Sequence, residues 1–424
     1  MRVLGVNAVF HDPAAALIVD GKIEAAAEEE RFSRRKHGKL PVPFSSWELP
    51  ERAAAWCLEY AGLAPEDLDG VAYSYDPALA GPVGADITDD NWEGLRTLYA
   101  QRAPLFLQTA LPGLDPGCVR FVPHHVAHAA SAYLAAPAAT SAVLVFDGRG
   151  ERASQLAGRW DGQQLETLAA QSLPHSLGLF YEDATEHLGF RRASDEYKVM
   201  AYASYGEPVF LDRLREAVKA HPDGCFSVDP IEWDTLVKRV REESDRGPEH
   251  ADLAASVQIR LQEVLTDLAM WLHAQTGERH LTMAGGVALN CVANSVLAER
   301  SPFADIWVQP AAGDAGTALG AAMHLSHELG DRVTPMHSGA LGPEWSEAEL
   351  EAWLRRARVS YTRPPDIAES VADVLAADGV VAWFQGRSEF GPRALGHRSL
   401  LANPCHLHNL TRLNDIKGRE QFRP

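Results

Sequence analysis

Cysteine is scarce in this chain: five residues in 424, with no C-x-x-C pair among them, which excludes a disulfide framework and a zinc ribbon. That usage fits a reducing compartment, and the expected location is cytoplasmic. The N-terminus passes from Arg2 straight into Val3-Leu4-Gly5-Val6, without the apolar core and cleavage pattern of a signal peptide. Basic residues are also in deficit. Thirty-nine Lys and Arg face 58 Asp and Glu, a formal charge of -19 that repels phosphate backbones and makes nucleic acid a poor partner. The uncharged stretch from Ala129 to Phe146 is rich in alanine and broken by Pro137, so it reads as a helix, a turn and a buried strand. No membrane span is expected. An H-E-x-x-H helix is missing too, which argues against a plain metallohydrolase.

What is present belongs to a globular protein: 46% hydrophobic and 23% charged residues, in a chain long enough for two or three domains. Val3 to Val9, Ala14 to Val19 and Ile23 to Glu29 read as strands, the last two joined by an Asp20-Gly21 hairpin turn. The same grammar returns in Ala142 to Phe146, Ala153 to Trp160 and Leu165 to Ala169, with Asp161-Gly162 between the last two. Helical material follows each set, and the repetition predicts an internal duplication. The pattern resembles the actin-like ATPase superfamily, in which two RNase H-like halves face each other across a nucleotide cleft. Ala254 to Gln275, Val287 to Leu297, Thr317 to His327 and Ile367 to Ala377 read as helices. Ser346 and Glu349 form a capping box, and a domain boundary is expected near Pro364-Pro365.

Several constellations carry chemistry. His124 and His128, four apart in His124-His125-Val126-Ala127-His128, project from one helix face and can hold one metal ion. The alternative is a pair of helix-capping histidines. Asp147, at a strand end, and Asp314, in a glycine-rich turn, could add oxygen ligands, giving a set that suits iron(II), manganese or zinc. Gly148, Gly285-Gly286 and Gly313 offer close backbone approach to a phosphate. His11, just beyond the first strand, is either a general base for a hydroxyl nucleophile or a surface turn residue. Glu28 to Lys39 is dense in charge, and reads either as a solvated face or as an anion-attracting segment. Lys198 is a second candidate for a phosphate contact. In the tail, Arg393, Arg398, Lys417, Arg419 and Arg423 flank glycine turns, which favours an anion site over ordinary surface salt bridges.

Taken together these segments resemble the NodU/CmcH type of O-carbamoyltransferase. The marks are Glu28-Glu29-Glu30-Arg31-Phe32-Ser33-Arg34, His124 to Ser131, Phe146-Asp147-Gly148, Lys198-Val199-Met200, Gly285 to Asn290 and Glu389 to Ser399. The resemblance implies a duplicated actin-like α/β domain over residues 1–345 (halves near 1–140 and 141–335), related to the tRNA threonylcarbamoyl transferases. A linker at 346–365 and the start of a YrdC-like domain at 366–424 would follow. It further implies transfer of a carbamoyl group from carbamoyl phosphate, through an ATP-derived carbamoyl-adenylate, to a hydroxyl of a small-molecule natural product. By motif, iron(II) or another divalent metal would sit on His124, His128, Asp147 and Asp314, with His11 as the acceptor-side base. Arg393, Arg398, Lys417 and Arg423 would contact carbamoyl phosphate and adenylate, and Gly148, Lys198, Gly285, Gly286, Asn290 and Gly313 complete the cofactor contacts. Family members continue well beyond Arg423, so the YrdC-like part is expected to be incomplete. A homodimer is compatible with the sequence. Two other readings stay open: a tRNA threonylcarbamoylation enzyme, and a non-catalytic nucleotide-binding module of actin-like fold.

Overall fold

The computed structural model describes residues 1–37, 48–80, 91–242 and 245–423. Lys39, the last residue of the charge-dense run, lies outside them. The chain divides into two compact units, Met1–His337 and Ser338–Pro424.

The first unit opens with β1 (Arg2–Asn7), β2 (Ala14–Val19), β3 (Lys22–Glu28), the single turn α1 (Glu30–Ser33) and α2 (Glu51–Ala61). Then come β4 (Gly70–Tyr73), α3 (Asn91–Ala110), β5 (Val119–Phe121) and α4 (His124–Tyr133). Asp20 and Gly21 both adopt positive φ (48° and 74°), the geometry of the two-residue turn that matches strand twist. The sheet runs β3-β2-β1-β4-β5, its first three strands antiparallel and its last two parallel to β1. β1 and β2 are almost wholly buried, as their continuous apolar runs require for a sheet covered on both faces.

The second half repeats the plan. β6 (Ser141–Phe146), β7 (Ala153–Trp160) and β8 (Leu165–Ser172) form the meander, followed by α5 (Leu177–His187), α6 (Glu196–Tyr202) and α7 (Leu211–Ala217). A small hairpin, β9 (Val218–Ala220) with β10 (Phe226–Val228), precedes α8 (Pro248–Thr276). β11 (His280–Ala284), α9 (Cys291–Arg300), β12 (Asp305–Val308) and α10 (Ala315–Glu328) close the half. Its sheet runs β12-β11-β6-β7-β8, with the same strand directions as the first. Counted from the first strand of each half, both sheets read third, second, first, fourth, fifth. This is a duplicated α/β architecture, as the repeated strand pattern of the sequence predicts. Val287 to Leu297, expected as one helix, is instead a 3-10 turn at Gly286–Leu289 and then α9. Asn290 makes the break, since its side chain accepts from the Ala293 N–H and starts a new helix.

The two halves exchange cover. α10 packs on β1, β2 and β4 of the first sheet, α4 packs on β11, β6 and β7 of the second, and the two helices cross each other. Small residues permit the crossing: a Cβ at Gly320 would run into the Ala127 carbonyl oxygen, and one at Gly5 into the Ala318 carbonyl.

In the second unit, α11 (Glu347–Ala357) starts at the Ser346/Glu349 capping box. α12 (Ile367–Ala376), the antiparallel pair β13 (Val380–Phe384) and β14 (Arg398–Ala402), and α13 (His408–Lys417) follow. The stretch 346–365, read from the sequence as a linker, therefore carries α11 within this unit, and the division falls at His337. Hydrogen bonds explain the position. Thr334 and Met336 bond to Gly21 and Ala135 of the first unit, whereas Gly342 and Pro343 bond to Ser388 of the second.

Helix propensity alone would make Gly320→Ala stabilising by about 1 kcal/mol. The added methyl, however, meets a backbone atom that no rotamer change can move, and such overpacking costs about 1–3 kcal/mol or more. Gly320→Ala should lower the urea midpoint of unfolding; a raised midpoint would contradict this account of the crossing.

Candidate metal centre and its surroundings

α4 begins where a carboxylate waits for it. Glu151 Oε1 accepts the N–H of His124 (2.9 Å) and of Asp76 (2.8 Å), satisfying a helix donor that would otherwise be buried unpaired. The i, i+4 spacing then places His124 and His128 side by side, ring centroids 4.6 Å apart. His124 Nδ1 lies 3.2 Å from the Ser74 carbonyl, which accepts its proton and leaves Nε2 as the free nitrogen. Asp147, at the tip of β6, has Oδ1 held by the Gly286 N–H (2.9 Å) and Oδ2 3.4 Å from His124 Nε2. Asp314, at the N-terminus of α10, places Oδ1 3.6 Å from Nε2 of both histidines.

One ligand atom from each of these four buried side chains lies within 4.8 Å of the other three. Nε2 of His124 and of His128 has no hydrogen-bond partner among the described residues, an expensive state for a buried polar atom. Two imidazole nitrogens and two carboxylate oxygens converging in this way fit a divalent cation of the iron(II), manganese or zinc type. The electrostatics agree. Burial alone would push the His124 imidazole down, but Asp147 and Asp314 outweigh it and hold it well above its ordinary value. Both carboxyls would be raised by burial, and both are instead held low by the facing imidazoles. His125 points elsewhere and is pushed down to about 3, by burial first and then by its charged neighbour His124.

His11 stands at the edge of this cluster. Its N–H lies 3.4 Å and its Nε2 3.9 Å from Asp314 Oδ2, while Nδ1 bonds Asp12 Oδ2 at 2.8 Å. Burial lowers it, but Asp314 and Asp12 prevail and raise it to about 10. Across from it Glu196 is pushed up to about 7, chiefly by burial.

The other sequence candidates fall into two groups. Gly148 packs against Gly178 at the start of α5, and Gly313 immediately precedes the ligand Asp314. Gly285 adopts φ 92°, and a Cβ there would strike the Phe146 carbonyl, so glycine is required for β11 to approach β6 this closely. The Asn290 side chain is committed internally: it exchanges bonds with Gln258 (2.9 and 3.1 Å) and caps α9. Lys198 is paired with Asp195 at 3.0 Å. In the charge-dense run, Arg31 and Arg35 are paired with Glu28, Glu30 and Glu48.

In the second unit, Arg398, Arg419 and Arg423 lie close enough to Lys417 that, after burial, their charges push its ammonium down. The sequence reading missed what organises the loop that also carries Arg393. Glu389 Oε1 accepts the N–H groups of Leu395, His397 and Arg398 at 2.9, 2.8 and 3.2 Å. His37 and Glu151 were also missed as partners, since they bond Asp12, and His124 and Asp76, which are distant in sequence.

Comparison with known proteins bears on this geometry. The family model described as Carbamoyltransferase N-terminus matches residues 2–81 and 111–323, and that described as Carbamoyltransferase C-terminus matches residues 372–424. A Synechocystis sp. protein, sll1178, is 35% identical over 100% of this chain and 74% of its own length. Nodulation protein NolNO of Sinorhizobium fredii is 37% identical over 99% of the chain, which spans 62% of that protein. NolO of Bradyrhizobium diazoefficiens is 40% identical over 71% of the chain, with 57% of its length covered. Among solved structures, HypF of T. kodakarensis matches at a TM-score of 0.47 and 14% identity, over 77% of this chain and 48% of that one.

Two outcomes are expected. A cation must displace the proton held by the raised His124 imidazole, so binding of Mn(II) or Zn(II) should release protons and tighten as pH rises through the neutral range. Calorimetry in buffers of different ionisation enthalpy reads this, and a pH-independent affinity would contradict it. Glu389→Gln should loosen the arginine loop, at a cost of about 1–3 kcal/mol. Faster amide exchange at Leu395, His397 and Arg398 is the measurement; unchanged protection would rule out the organising role.

Proposed function

We propose that this chain, which belongs to the carbamoyltransferase family, moves a carbamoyl group to a hydroxyl of a small-molecule natural product at the His124/His128/Asp147/Asp314 cluster. One observation carries the reading: His11 Nε2 faces that cluster, 3.9 Å from Asp314, while its Nδ1 is engaged by Asp12. An imidazole fixed at one nitrogen and open at the other suits proton removal from an incoming hydroxyl. As the acceptor oxygen bonds the carbamoyl carbon, its proton passes to His11 Nε2 and the bond from that carbon to the leaving phosphate oxygen breaks. The products are the carbamate ester and the released phosphate or adenylate.

His124, His128, Asp147 and Asp314 would hold a divalent cation, for which iron(II) is the family expectation. Such a cation supplies positive charge to a phosphate-bearing donor. It would also compensate Asp147 and Asp314, weakening the pull that holds His11 protonated. In this reading carbamoyl phosphate loses phosphate to water at the Arg393, Arg398, Lys417 and Arg423 region, and the carbamate so formed displaces pyrophosphate from ATP to give a carbamoyl-adenylate. The clustered cations around Lys417 support an anion there. Among the described residues no helix is long and apolar enough to cross a bilayer.

Full-length protein given ATP, carbamoyl phosphate and iron(II) under anaerobic conditions should release pyrophosphate; none would sink the adenylate route. His11→Gln should keep pyrophosphate release yet slow carbamoyl transfer by roughly 10²–10⁴-fold. Transfer at the wild-type rate would remove His11 from the reaction.

A further inference from the structure

We infer that His37 is a positioning residue for His11, acting through Asp12. The inference rests on the reading of His11 as the proton acceptor. Asp12 lies between two imidazoles: Oδ2 is 2.8 Å from His11 Nδ1, and Oδ1 is 2.8 Å from His37 Nδ1. An ionised carboxylate only accepts, so both Nδ1 atoms carry the protons. For His11 this leaves Nε2, on the Asp314 side, as the nitrogen able to trade a proton. For His37 it leaves Nε2 against Ser194 Oγ, at 2.9 Å.

Backbone conformation points the same way. Asp12 and His37 are non-glycine residues in the left-handed region (φ 50° and 62°), a conformation that persists only where the surroundings impose it. The Asn7 side-chain amide imposes it on the first, donating to the His11 and Asp12 carbonyls at 2.9 Å each. Glu30 imposes it on the second, accepting the His37 N–H at 2.9 Å. Ser194 belongs to the other half of the fold, and Lys36 Nζ reaches the same hydroxyl at 3.3 Å. The carboxylate of Asp12, and through it the ring of His11, is thus held by His37 Nδ1, while the other nitrogen of His37 reaches the second half.

A residue that merely fastens these segments together would show the same bonds, and two amide substitutions separate the roles. Asn places a donor where His Nδ1 lies, so His37→Asn keeps the bond to Asp12 and drops Ser194. Gln extends to the position of Nε2, so His37→Gln keeps Ser194 and drops Asp12. The readout is solvent exchange of the His11 Nδ1 proton, followed by NMR on the full chain carrying ¹⁵N-histidine. It needs no acceptor and no turnover. Positioning predicts exchange faster by on the order of tenfold in His37→Ala and in His37→Gln, with His37→Asn close to wild type. Unchanged exchange in His37→Ala, or rescue by Gln and not by Asn, overturns the inference. Should the alanine variant fail to fold, the Asn and Gln pair decides alone. Failure of the base reading is seen separately, as wild-type carbamoyl transfer in His11→Gln.

Discussion

Two buried carboxylates, Asp147 and Asp314, facing the same pair of buried imidazoles form the constraint on which the first unit depends. Neither acid can sit there ionised without nearby positive charge, and the imidazoles cannot sit there with unpartnered nitrogens at no cost. Each pair needs the other, and both invite a cation. These four side chains come from α4, from the tip of β6 and from the start of α10, so they meet only if the two sheets are held at one separation. The glycine contacts where α10 crosses β1 and α4 set that separation at the limit of backbone approach. Glu151 at the head of α4, the Ser74 carbonyl on His124 and the Gly286 N–H on Asp147 then fix the direction of each side chain.

Much of this was legible in the sequence, for identifiable reasons. The meanders were readable because strand alternation and Asp-Gly turns are local signals, and the structure places β2 and β7 at the expected bounds. The histidine pair was readable because i, i+4 spacing is a property of any helix. Asp147 and Asp314 lie far apart in sequence, and only the folding of the second half brings the tip of β6 beside the start of α10. Asn290 shows the opposite limit. A motif position suggested a ligand contact, but its side chain is occupied by Gln258, which lies 32 residues away. Nor could Asp12, His37 and Ser194 be grouped from spacing, because their association is created by the meeting of the halves.

The second unit uses a different economy. Arg355 and Arg363 pair with Glu351, and Arg423 with Glu420. The loop that carries Arg393 and Arg398 is instead drawn around one buried carboxylate, Glu389, that collects three backbone N–H groups. Shape is therefore assigned to the main chain, and Arg398, Arg419 and Arg423 place their charges near Lys417.

The exchange of cover between the halves has a consequence for what the repeat means. A half with α4 or α10 at its end does not roof its own sheet; it roofs its neighbour's. The arrangement is that of a swapped dimer whose subunits have been joined into one polypeptide, with the His124/His128/Asp147/Asp314 cluster supplied by both. In such a molecule the site belongs to neither repeat, and divergence of one half is felt at once as a change in the shell of the other.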